Sequence, residues 1–309
     1  MSHPHAHHHG HDPHGHDHAL PGHTRAFGIG IALNLGFVIV EAYFGWVTGS
    51  LALLADAAHN LGDVGGLLLA WAAFAAARLR PDDRHTYGWR RGSILASFIN
   101  ALILLVAMGS LGWEAVQRFS DPAPIAAGTV MIVAAVGVVI NAATAALFMA
   151  GRKEDLNIRG AFLHMAADAL VSLGVVVAGA LYLWQGWTWI DPLASLVIAG
   201  VVIAGTWSLF RQSLHLLFDG VPEHIRLPDV RDCLQAVGGV ASVHDLHVWA
   251  MSTAEPALTA HLVSSGTHST DDILRDARHA LHDRFGITHV TLQIEAAACA
   301  AACAPNHSA

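Results

Sequence analysis

Hydrophobic positions in this chain gather in long blocks instead of alternating with polar ones. Six blocks stand out, at residues 27–47, 51–77, 92–113, 125–151, 160–190 and 192–210. Each meets the roughly 18–20 residues that a helix needs to cross a bilayer. The third, fourth and sixth contain no Asp, Glu, Lys, Arg or His. A chain inside lipid must satisfy its own backbone, so the blocks predict six transmembrane helices and not open strands.

The pattern changes after Phe210, where 6 basic and 11 acidic residues follow. Residues 225–237 have helical spacing, while 242–250 and 257–263 alternate as strands do. Ser269-Thr270-Asp271-Asp272 carries the capping chemistry of a helix start, which runs to Phe285, and 290–294 reads as a last strand. The predicted fold class is therefore an α-helical membrane protein with six transmembrane helices and a small α/β domain of order αββαβ. The predicted division is a His-rich disordered tail at 1–24, a transport-type membrane domain at 25–212, the α/β domain at 213–296 and a Cys-containing tail at 297–309.

Composition sharpens this picture. Only 13% of the 309 residues are charged, against about 25% in a soluble domain. The formal charge of -8 argues against nucleic acid as a partner. No Gly-x-x-x-x-Gly-Lys-Ser/Thr run is present, which argues against nucleotide. Arginines crowd the second-to-third and fourth-to-fifth connections and flank the first and last spans, whereas the other connections hold only Arg118. The positive-inside rule then puts both termini in the cytoplasm of a plasma (inner) membrane protein. Trp184, Trp187 and Trp189 fall where an outer aromatic belt would sit. The polar, His-rich start has no apolar core of its own and so does not read as a cleavable signal.

Twenty-three His against three Cys points to metal, since imidazole is the commonest metal ligand. Ionisable groups inside a bilayer are costly and retained chiefly for function. Here the second span carries His59-Asn-Leu-Gly-Asp63 and the fifth His164-Met-Ala-Ala-Asp168. Residues four apart share a helix face, so each span aims one imidazole and one carboxylate the same way. Two facing helices supply two nitrogens and two oxygens, a set suited to tetrahedral Zn²⁺. Gly62, Gly65, Gly66, Ala167 and Ala169 are read as letting those two backbones approach. Asp56 either orients His59 or caps the helix near the outer surface. Glu41 faces the interior, with proton and packing roles both open. Asn34, Asn60, Asn100 and Asn141 are read as joining helices by hydrogen bonds.

The motifs Leu-Ala-Asp-Ala-Ala-His59-Asn-Leu-Gly-Asp63, Pro81-Asp-Asp-Arg-His-Thr-Tyr-Gly-Trp89, Arg118-Phe-Ser-Asp-Pro-Ala-Pro-Ile125 and His164-Met-Ala-Ala-Asp168 resemble the cation diffusion facilitators, divalent-metal/proton antiporters. The likeness runs from Phe27 to Glu295. It implies a homodimer, a metallochaperone-like cytosolic domain and a transport site of His59, Asp63, His164 and Asp168. The His at position 59 resembles the zinc-preferring branch. By the same resemblance His244 and His261, with Gln293 or Glu295 at the end of the last strand, bind cytosolic Zn²⁺ as a regulatory ion. Asp82 and His85 match a further loop site, but Trp89 stands where its third ligand would be.

Beyond the resemblance, ten His between His3 and His23 read as a metal-collecting tail. Cys299 and Cys303, with His307, offer a further candidate metal set. Cys233, alone on a helix, reads as core. The expected function is export of Zn²⁺, with Cd²⁺ or Co²⁺ as further cargo, in exchange for protons, and no enzymatic activity. A metal sensor without transport would not need ionisable residues inside two spans. A membrane-embedded metalloenzyme would need an open coordination position and a base such as His-Glu-x-x-His, which does not occur.

Overall fold

A computed structural model describes residues 23–121, 123–149 and 156–296. Six long helices come first: α1 (His23–Thr48), α2 (Leu51–Ala77), α3 (Gly92–Ser120), α4 (Ala127–Phe148), α5 (Leu156–Gln185) and α6 (Ile190–Leu217). Helices α2 to α6 are each long and apolar enough to cross a membrane, and Leu35–Thr48 of α1 is apolar as well. The bundle closes on an interior of Phe37, Leu53, Leu104, Met108, Val130, Val175, Ile198 and Val202. Large side chains such as Trp46, Trp71, Trp113 and Leu170 point outward, as suits a bundle whose solvent is hydrocarbon.

Helices α3 and α6 overrun their apolar blocks at the C-terminal end, reaching Ser120 and Leu217. They pack closely on each other, with Phe98 and Phe210 stacked at 5.3 Å. The small residues of α2 serve α3. A Cβ at Gly62 would meet the Leu104 side chain at 3.0 Å, and one at Gly66 would strike Asn100 at 2.7 Å. The expectation that these glycines bring α2 against α5 is therefore corrected: α2 and α5 touch only lightly. Small residues announce a close neighbour without saying which helix it is.

After the bundle come α7 (Leu227–Gln235), β1 (Val240–Ala250), β2 (Pro256–Ser264), α8 (Thr270–Phe285) and β3 (His289–Glu295), the predicted αββαβ order. The sheet order is β1-β2-β3, with β1 antiparallel and β3 parallel to β2. This unit has its own core, including Val230, Leu234, Leu258, Leu262, Ile273 and Leu281. Cys233 is buried within α7, as read. Ser269 caps α8 by accepting from the Asp272 amide.

Candidate metal centres

α2 runs toward the α/β unit and α5 runs away from it, so His59 pairs in depth with Asp168 and Asp63 with His164. His59 Nε2 lies 3.7 Å from Asp63 Oδ2 and 3.6 Å from Asp168 Oδ1. His164 Nε2 lies 3.2 Å from Asp63 Oδ2 and 3.7 Å from Asp168 Oδ2. All four predicted residues thus come together in one ring in which nitrogens and oxygens alternate. Ligand bonds of about 2.0 Å in a tetrahedron give edges of about 3.3 Å, near these four N–O separations, but no three of the residues offer atoms mutually within 4.8 Å, so the ring is not closed to a tetrahedron. The two ring centroids are 6.1 Å apart, so the ring is open across the helix pair.

Exposure grades through this ring. The side chains of His164 and Asp63, nearer the α/β unit, are 43% and 34% exposed. Those of His59 and Asp168, one turn deeper, are 20% and 3% exposed. Exposure therefore falls with depth from the side of the α/β unit.

Asp56 performs neither of its two expected roles. The cap of α2 is Ser50, while His59 Nδ1 is buried without a hydrogen-bond partner. Asp56 instead accepts from Ser172 Oγ at 2.9 Å. Glu41 is fully buried and accepts from Asn60 Nδ2 at 3.3 Å, so Asn60 does join two helices as expected. Asn141 is buried with its Nδ2 unpartnered.

Sequence reasoning passed over Asp191, which ends the far-side turn after Trp187 and Trp189. Its buried carboxylate accepts from Ser50 Oγ at 2.5 Å and from the Leu51 amide at 2.9 Å. It thereby caps α2 from the start of α6. Arg118 secures the same corner by donating to the Gly49 carbonyl.

In the α/β unit the strand register builds a second cluster. His244 pairs with His261 across β1 and β2, and His261 with Gln293 across β2 and β3. Glu295 lies two residues beyond Gln293 and so on the same face. Its oxygens stand 3.0 Å from His244 Nε2 and 3.1 Å from His261 Nδ1. Among the described residues, these three form the group whose donor atoms lie mutually within 4.8 Å. Of the two residues expected at the end of the strand, Glu295 faces the histidines, and Gln293 donates to it at 2.8 Å.

A bulge between His244 and His247 puts Asp245 in the left-handed region at φ 50°. Its carboxylate lies 3.0 Å from His247 Nε2, and that imidazole holds it below the usual range. His289 packs edge-on to Tyr87, away from the cluster.

In the α2–α3 loop, Asp82 accepts from the amides of His85 and Arg84, which together hold its carboxyl below the usual range. His85 Nδ1 lies 3.3 Å from Asp82, and its ring packs on Trp89 at 4.1 Å between centroids. That loop therefore gathers two donors and an indole. The His-rich stretch up to residue 22, Cys299 and Cys303 lie outside the described residues.

Two family descriptions match in tandem: the cation efflux transmembrane domain over 28–218 and the cation efflux protein cytoplasmic domain over 222–297. The chain belongs to the cation efflux family. Its members are metal transporters, not enzymes. The chain is 37% identical to the metal cation efflux system protein CzcD of Cupriavidus metallidurans, covering 95% of this chain and 93% of that one. It is 36% identical to a cadmium, cobalt and zinc/H(+)-K(+) antiporter of Bacillus subtilis, covering 91% and 92%. Identity to the zinc transporter ZitB of Escherichia coli is 37%, over 89% and 87%. A solved metal-bound C-terminal domain of CzcD aligns with 23% of this chain and 99% of its own, at 38% identity and a TM-score of 0.22.

Proposed function

We propose that the protein is a secondary transporter that moves Zn²⁺, with Cd²⁺ and Co²⁺ as further cargo, out of the cytoplasm in exchange for protons. The observation that carries this reading is the ring of His59, Asp63, His164 and Asp168, built from two membrane helices in a cation efflux chain. Zn²⁺ needs neutral imidazole and ionised carboxylate, so metal and protons compete for the same atoms. The graded exposure supports loading from the side of the α/β unit, the cytoplasmic side by the arginine distribution. Helix α2 rests on α3 through Gly62 and Gly66 and only lightly on α5, which leaves the two ligand-bearing helices free to close or part around the ion.

In this reading His244, His261 and Glu295 hold a regulatory Zn²⁺, and the cytosolic units join two copies into a homodimer. The relatives' names, with zinc, cadmium, cobalt and antiport among them, support the cargo and its coupling. The test is uptake by proteoliposomes across a panel of divalent metals under an imposed pH gradient. Asp63→Ala and Asp168→Ala should each leave a folded protein whose transport falls by at least about a hundredfold. Each leaves the dication short of one anion in a low dielectric, at a cost of several kcal/mol. Normal rates in either folded variant would overturn the assignment.

A further inference from the structure

On the far side of the ring from the α/β unit lies a second acidic group that the four ligands do not use. Glu41 of α1 and Asp56 of α2 are both fully buried and within hydrogen-bonding reach of each other. One oxygen of each has a neutral donor: Asn60 for Glu41 Oε2 and Ser172 for Asp56 Oδ2. The other two oxygens, Glu41 Oε1 and Asp56 Oδ1, are buried with no partner. An ionised carboxylate only accepts, so two of them cannot bond to each other. A proton on either carboxyl turns it into a donor and removes one uncompensated charge from a dry interior.

Among the described residues, no cation outside the ring serves instead. α4 carries no ionisable residue. On α3 and α6, Arg118 bonds Gly49 and Glu114 while Asp191 caps α2. The charged groups that act on the pair are Asp168 and His59, the two deeper members of the ring.

We propose that Glu41 and Asp56 form a proton-holding pair, distinct from the metal ligands, that carries one of the protons exchanged for each metal ion. The inference rests on the antiport reading above. A proton taken up when the bundle opens to the far side is held on the shared carboxyls. Arrival of the dication at Asp168 and His59 supplies the compensating positive charge, so the proton leaves toward the cytoplasmic side and the pair then awaits the next one.

The test is thermodynamic, so that a variant that is merely slow does not imitate it. Proteoliposomes of the full-length protein are clamped at zero potential with valinomycin and equal potassium on both sides. The zinc gradient sustained by a fixed pH gradient then reports protons exchanged per zinc. Glu41→Gln and Asp56→Asn should each sustain a gradient about tenfold smaller at a pH difference of about one unit, one proton fewer by mass action. The double variant should show the same single drop, because one proton is shared. Both substitutions are isosteric and should keep equilibrium Zn²⁺ binding. An unchanged zinc gradient overturns the proposal. So does loss of transport or of fold in both variants, which would make the pair a structural bridge between α1 and α2. Failure of the ring assignment is seen separately, as transport that survives Asp63→Ala.

Discussion

At the scale of single residues, His59 is where the choice of cargo is most exposed to test. Its Nε2 faces two carboxylates at nearly equal distance while its Nδ1 finds no partner, so this imidazole is held by packing and not by an outer hydrogen bond. Imidazole is a borderline ligand that suits Zn²⁺, whereas carboxylate tolerates larger ions and those that prefer oxygen. His59→Asp changes the set from two nitrogens and two oxygens to one and three. It also shortens one arm of the ring. Zinc transport should persist, and the Cd²⁺/Zn²⁺ rate ratio should rise roughly fivefold to tenfold, the effect of about 1 kcal/mol. Rates should be compared at matched pH, because a group of ordinary pKa about 6.5 gives way to one near 3.9. An unchanged ratio between about pH 6 and 8 would place selectivity in the helix packing instead.

At the scale of elements, hydropathy alone made all six helices legible, and alternation made the first two strands legible. The His-x-x-x-Asp spacing gave the ring, because four residues on a helix fix a direction without any knowledge of the neighbour. Which helices meet was not legible in the same way. Gly62 and Gly66 signal a close approach but carry no address, and the address is α3. The contact of Glu41 with Asp56 was hidden for the same reason, since neither position names its partner across a helix pair. Asp191 escaped notice because a polar residue at the edge of an apolar block reads as a boundary. In the structure it is a buried cap that closes α2 onto α6. Removing it strands the Ser50 hydroxyl and the Leu51 amide in a dry corner, at about 1–3 kcal/mol for a buried unsatisfied group. Asp191→Ala should therefore lower the stability of the bundle by about that amount in reversible detergent unfolding. The ring lies deeper along α2, so equilibrium Zn²⁺ binding should change little, and a stability equal to the parent's would show the cap to be dispensable.

At the scale of the whole molecule, two separate cores meet over a thin polar seam. Arg91 pairs with Asp219, Arg90 lies 3.0 Å from Glu255, and the Thr253 amide donates to Ser93 Oγ at 3.2 Å. Tyr87 against His289 adds one aromatic contact. These groups are half-exposed, and such ion pairs are worth about 0–1 kcal/mol each. The seam therefore sets the angle between the two units without holding either one folded, and relative motion is the default for an interface this small and polar. Two arginines of the second-to-third connection, read in sequence as an orientation signal, here face Glu255 of the α/β unit and Asp219 just beyond α6. Reversing them with Arg90→Glu and Arg91→Glu turns two attractions into repulsions. Spin labels at exposed Thr86 and Thr267, in labelled protein diluted with unlabelled copies, should then report a broadened distribution of distances between loop and α/β unit. Each unit should stay folded, because its core is untouched. Adding Asp219→Arg restores one pair with opposite polarity and should narrow the distribution again. A narrow distribution in the doubly reversed protein would mean that the angle is fixed elsewhere and not by these charge pairs.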